Sequence, residues 1–171
     1  LRFSRCIAIG NYQGRLQELV IEMKRCHDEV LAIQLGRLLG HQLDKYELAH
    51  EIDLTIPIPT HWWRKFRRGF HGASVIAEGL SAVCGLRTSN QVLFCKRSAK
   101  KQGMLTTPGR FANVRGVFDL HRRADVKNRT LLLVDDVMTS GATASEAARM
   151  LYRAGAASVS VAVVARGARS A

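Results

Sequence analysis

The sequence predicts an α/β protein with a mainly parallel central sheet flanked by helices, and three observations lead there. Leu131, Leu132, Leu133 and Val134 form an unbroken apolar run, the pattern of a strand covered on both faces. Residues 146–151 follow with apolar positions at helical spacing. A second apolar run at 158–165 then restores a strand after the helix that Gly155 ends. Strand, helix and strand in that order call for parallel pairing through a crossover. With 47% hydrophobic residues in a chain of 171, and no stretch rich in glycine, proline or serine to divide it, a single domain over 1–171 with one core is expected.

The other elements follow along the chain. Leu16, Leu19, Val20 and Met23 place a helix over 14–25, and Leu31, Leu35, Leu38 and Leu39 place another over 28–43, an amphipathic pair that must bury a face. Residues 54–58 predict a strand whose end carries Pro57 and Pro59, which remove backbone donors and force a sharp exit. Ala73, Ile76, Leu80 and Val83 set the next helix, and residues 91–96 a further strand. From Arg97 to Val114 the chain is polar, with Lys100, Lys101, Gln102, Gly103 and Arg110 and few apolar anchors, so a long functional loop is expected. Residues 129–134 and 158–165 supply the last two strands.

The chemistry concentrates after the first of these. The strand delivers Asp135 and Asp136 to the lip of a loop of small residues, Thr139, Ser140, Gly141, Ala142 and Thr143, which opens a helix at the carboxyl end of the sheet, where open α/β sheets bind ligands. Backbone N–H groups of residues 140–143, close approach over Gly141 and roughly half a positive charge from the helix dipole suit a phosphate. Paired carboxylates beside a phosphate cradle suit a ribose phosphate. Two other families put paired aspartates after an apolar strand, and neither fits. A nucleotide triphosphatase needs GxxxxGK[ST], which the chain lacks. A phospho-receiver domain needs a later aspartate, and Glu146 is the sole acid after Asp136.

The pattern Val134-Asp135-Asp136-Val137-Met138-Thr139-Ser140-Gly141-Ala142-Thr143 resembles the phosphoribosyl pyrophosphate (PRPP) signature of type I phosphoribosyltransferases. Ile56-Pro57-Ile58-Pro59, the run Arg64-Lys65-Phe66-Arg67-Arg68-Gly69-Phe70, and then Gln102, Leu105, Arg110, Asn113 and Gly116-Val117-Phe118 resemble the competence protein F (ComF/GntX) family. The opening Tyr12, Leu16, Leu19, Met23 and Lys24 fits as well. The resemblance implies a type I phosphoribosyltransferase fold with a small N-terminal helical hood over 1–45. It also implies displacement of pyrophosphate from C1 of PRPP, with Asp135 and Asp136 on the ribose hydroxyls and holding Mg2+, directly or indirectly. Thr139, Ser140, Gly141, Ala142 and Thr143 would hold the 5′-phosphate. Pro59 and Thr60 would face pyrophosphate, and Arg97, Lys100 and Lys101 would close over it. Two features depart from the family. His71-Gly72 stands where Asn-Gln is usual, and the zinc ribbon of paired CxxC motifs with which members commonly begin is absent from this chain, which opens at Leu1.

Cys6, Cys26, Cys84 and Cys95 lack CxxC spacing, so neither a disulfide framework nor a zinc site is expected. No apolar run approaches the roughly 20 residues of a membrane span, and a cytoplasmic location is expected. The formal charge of +12 exceeds what one small anion requires. Basic clusters at 64–68, 96–101 and 122–129, the first beside Trp62, Trp63 and Phe66, suit single-stranded nucleic acid. Arg64, Arg67, Arg68, Trp62 and Trp63 are therefore the candidate contacts. The expected partners are PRPP or a ribose 5-phosphate compound, single-stranded DNA or competence proteins, and a second copy in a homodimer. A competing function of another class, implied by the same resemblance, is a non-catalytic PRPP-fold protein that binds single-stranded DNA during transformation.

Overall fold

A computed structural model of the chain describes residues 1–59, 71–96 and 107–167, the side chains of Thr107 and Pro108 excepted. The elements run β1 (Cys6–Asn11), α1 (Gly14–Cys26), α2 (Glu29–Lys45), a short 3-10 turn (Ala49–Glu51), β2 (Leu54–Pro57), α3 (Gly72–Cys84), β3 (Leu93–Cys95), α4 (Thr107–Val114), β4 (Phe118–Leu120), β5 (Thr130–Met138), α5 (Ala142–Arg153) and β6 (Ser158–Arg166). Four strands form a wholly parallel sheet in the order β1-β6-β5-β2.

Alternation along the strands divides the interior. Leu131 and Leu133 face one layer with Val159, Val161 and the Ala144, Ala147, Ala148 and Leu151 stripe of α5. Leu132 and Val134 face the other, with Val20 and Met23 of α1, Leu35 and Leu39 of α2, and Ile76 and Leu80 of α3. Both central strands are therefore apolar on both faces, as the unbroken runs require.

Caps set the helix limits. Asp28 accepts from the N–H of Leu31 (2.9 Å) and starts α2. His71 Nδ1 accepts from the N–H of Ser74 (3.1 Å) at the start of α3, so the residue that departs from the family pattern serves as the helix cap. Gly85, at φ 66, ends α3 in the left-handed region.

Residues 6–11 form an edge strand for which the sequence carries no local signal, because its partner, β6, lies about 155 positions away (Cys6 pairs with Val161). Within the N-terminal 1–45 portion β1 belongs to the central sheet, and α2 packs on α3 and on the sheet face. Two expectations are corrected. The polar segment expected as loop from Arg97 to Val114 is helical over Thr107–Val114, and its first ten residues lie outside the described ones. The expected strand at 91–96 is shorter and pairs antiparallel with β4 in a separate two-stranded sheet (Phe94 opposite Asp119).

Candidate functional site

Strand β5 runs four residues past the apolar stretch, so Asp135 and Asp136 belong to the sheet instead of a loop beyond it, and Asp135 pairs in register with Val163. This firm backbone suits carboxylates that must hold position. Successive side chains point to opposite faces. Asp135 lines a cavity of about 40 Å³ together with Thr139, Ser140, Gly141, Ala142 and Thr143. Asp136 turns to the other side, where Lys24, in the last turn of α1, meets it at 2.8 Å.

The loop opens helix α5 with small and hydroxyl residues. Gly141 is the N-cap of α5 with φ 73, the left-handed region that favours glycine. Ala142 N–H lies 3.4 Å from Ser140 Oγ. Thr139 is tied from two directions: Arg110 of α4 reaches its Oγ1 at 3.3 Å, and Gly167 N–H bonds to the carbonyl of the preceding Met138 at 2.8 Å. Pro59 lies close by, since Ile58 N–H donates to the carbonyl of Val134 (2.8 Å) and the Cys95 thiol donates to the carbonyl of Pro59 (3.1 Å).

Charge crowding marks the carboxylate pair. Burial first, then the negative charge of Asp136, push the carboxyl of Asp135 up to about 8 from its ordinary 3.8, against the Asp136 N–H and Lys24, which pull it down. Because the folded value lies above the unfolded one, the stabilising contribution of this group is fully present below pH 3.8 and is lost as pH rises through about 8. Urea midpoints should therefore fall more steeply between about pH 5 and pH 9 in the wild type than in Asp135→Asn. Parallel pH profiles would contradict that ionisation scheme.

No group of three or more histidine, cysteine, aspartate or glutamate side chains that could hold a metal occurs among the described residues. Asp135, which faces the cradle, still fits Mg2+, which takes one or two carboxylates and draws its other oxygens from water and substrate phosphates. A cation there would also offset the burial and the Asp136 charge that raise Asp135.

The structure thus gathers Asp135, Asp136, Thr139, Ser140, Gly141, Ala142, Thr143 and Pro59 at one end of the sheet. Thr60, Arg64, Arg67, Arg68, Trp62, Trp63, Arg97, Lys100 and Lys101 lie outside the described residues. Sequence reasoning noted Lys24 only as part of a family motif, and Arg110 as part of a family motif and of the polar segment expected as a functional loop, and paired neither with its partner at the site. No local signal could have done so, since their partners are 112 and 29 positions away.

Residues 67–171 match the phosphoribosyl transferase domain family. The chain is 29% identical over 164 residues to DNA utilization protein YhgH of Escherichia coli, covering 93% of this chain and 70% of that protein. It is 26% identical over 163 residues to competence protein F of Haemophilus influenzae, covering 93% and 71%. Among solved structures it is similar to a phosphoribosylpyrophosphate synthetase from Mycobacterium smegmatis (19% identity, TM-score 0.45, 78% of this chain), of which it spans 33%. It is also similar to a purine phosphoribosyltransferase from Pyrococcus horikoshii (15% identity, TM-score 0.47, 95% of this chain and 79% of that one).

Proposed function

Because the chain belongs to the phosphoribosyl transferase domain family, we propose that it binds PRPP with Mg2+ and transfers the phosphoribosyl group to a nucleophile with release of pyrophosphate, in a process linked to competence and DNA utilization. One observation supports this most: paired carboxylates on a sheet strand stand beside a small-residue cradle that opens a helix. A nucleophile forms its bond to C1 of the ribose while the bond from C1 to the pyrophosphate oxygen breaks, and the electron pair leaves with pyrophosphate. Asp135 and Asp136 accept hydrogen bonds from the 2′ and 3′ hydroxyls and place negative potential beside the developing oxocarbenium charge. Thr139, Ser140, Gly141, Ala142 and Thr143 hold the 5′-phosphate, so the ribose is anchored at both ends and C1 is presented in one orientation.

Asp135 and Asp136 would hold Mg2+, directly or through water, and the ion would supply charge neutralisation for the leaving pyrophosphate. Pro59 and Thr60 offer backbone groups to that pyrophosphate, and Arg97, Lys100 and Lys101 close over it. Lys24 pairs with Asp136 at 2.8 Å and places a cation beside the ribose-binding carboxylates. Among the described residues no helix is long and apolar enough to cross a membrane.

We infer as a second reading a PRPP-fold protein without turnover that binds single-stranded DNA, with Arg64, Arg67, Arg68, Trp62 and Trp63 among its contacts; the relatives' names support only the link to DNA utilization and competence. A pyrophosphate-release assay with Mg2+, PRPP and a panel of bases and amines separates the two. Release that depends on an acceptor and disappears in Asp136→Asn is expected. PRPP binding without release under any acceptor would leave the second reading standing.

A further inference from the structure

On the face of the sheet opposite α2, the helices α4 and α5 enclose a cleft of about 960 Å³ that the transfer chemistry does not use. Its lining carries Arg2, Arg115, Arg149 and Arg153, with Phe111 from α4 and Tyr152 from α5. Glu146 is the one acid in that lining, so four arginines against one glutamate leave three formal positive charges. The glutamate is 7% exposed and already engaged, by Arg149 at 2.8 and 2.6 Å and by the N–H of Gly116 at 2.6 Å. Burial raises its carboxyl value, but Arg149, the Gly116 N–H and the charge of Arg115 outweigh that and hold it below the ordinary range, so it remains a fixed counter-charge to Arg149.

The aromatic rings add a second signal. Phe111 is 37% exposed and Tyr152 38%, large rings left in water on adjoining helices beside cations. Tyr152 is held in place through its hydroxyl, which accepts from the N–H of Val159 at 3.0 Å. Cations that pair with phosphates, interleaved with flat exposed rings, match a strand whose bases are free to stack, and a duplex would offer only its backbone to such rings. The cleft also adjoins the phosphate cradle, because Ala142 lines both.

We propose that the cleft between α4 and α5 is a binding track for single-stranded nucleic acid, with the arginines on phosphates and Phe111 and Tyr152 stacking on bases. The inference rests on the nucleic-acid reading of function, to which it adds contacts other than residues 62–68, and it is independent of transferase turnover.

The test is fluorescence anisotropy of the whole chain with a labelled oligothymidylate of about 12 nucleotides, within the range of single-strand site sizes, over a series of salt concentrations. The double variant Arg115→Glu, Arg153→Glu should weaken binding by at least about tenfold and flatten the plot of log affinity against log salt by about 1.4, at about 0.7 per phosphate contact. Phe111→Ala should weaken binding by about tenfold with an unchanged slope, since stacking involves no counterion release. PRPP affinity by calorimetry should stay at the wild-type value in both.

Binding by a duplex as tight as by the single strand would overturn the assignment, as would groove variants that bind DNA like the wild type while Arg64→Ala, Arg67→Ala and Arg68→Ala together abolish binding. If the wild type binds no oligonucleotide at all, the nucleic-acid reading falls with it, whereas the failures just named remove only the groove. Should a variant fail to fold, photo-crosslinking of a bromouracil-substituted oligonucleotide to the unaltered protein decides. Adducts in peptides containing Phe111 or Tyr152 are expected, and adducts found solely elsewhere would refute the track.

Discussion

Asp136→Asn is expected to weaken PRPP binding in the presence of Mg2+ by about 5- to 12-fold, the loss of about 1–1.5 kcal/mol that follows when a charge-assisted hydrogen bond of about 1.5–3 kcal/mol is reduced to a neutral one. Its melting temperature should hardly move. The partner it loses is Lys24, and this ion pair is partly exposed on both sides (42% and 22%), a setting in which such pairs contribute about 1 kcal/mol or less. The contrast between affinity and stability is the informative part, because a carboxylate serving the core would lose both together. Calorimetric titration and a thermal melt on the same preparation measure the two quantities. PRPP affinity equal to that of the wild type would remove Asp136 from the site.

The largest expected loss of stability lies far from any ligand, where α2 crosses α3. A Cβ added at Gly36 would stand 2.2 Å from the carbonyl oxygen of Ile76, and one added at Gly79 would stand 2.3 Å from the carbonyl oxygen of Ile33. The obstacle in each case is backbone, so no side-chain rotation relieves it. The helices must separate, and the contacts of Leu35, Leu39, Ile76 and Leu80 loosen with them. Gly36→Ala gains about 1 kcal/mol of helix propensity but should lose more through overpacking, giving a net loss of about 2–3 kcal/mol. For a chain of this size that lowers the melting temperature by roughly 4–12 °C. Gly10→Ala is the control, since its Cβ would meet only Leu16 Cδ2 at 3.4 Å, an ordinary contact. Equal melting temperatures for Gly36→Ala and the control would mean that the helices do not cross at this closeness.

The sequence by itself determined what local chemistry can encode. Leu131 to Val134 is apolar on every residue because β5 is covered on both faces, and the small residues from Thr139 to Thr143 form the turn at which Gly141 starts α5. The parallel sheet and the start of that helix were legible for that reason, as were α2, α3 and α5, each of which buries a stripe at helical spacing. Tertiary structure alone decided the rest. Cys6 to Asn11 becomes a strand only when β6 folds alongside it, and Leu93 to Cys95 leaves the main sheet because its partner is β4. Lys24 reaches Asp136 because α1 packs on the face of β5 toward which Asp136 points, and Phe111 meets the arginines of α5 only where α4 lies beside it. Spacing along a chain reports which face of an element a residue occupies, whereas the neighbour across that face is chosen by packing, and no local pattern carries it.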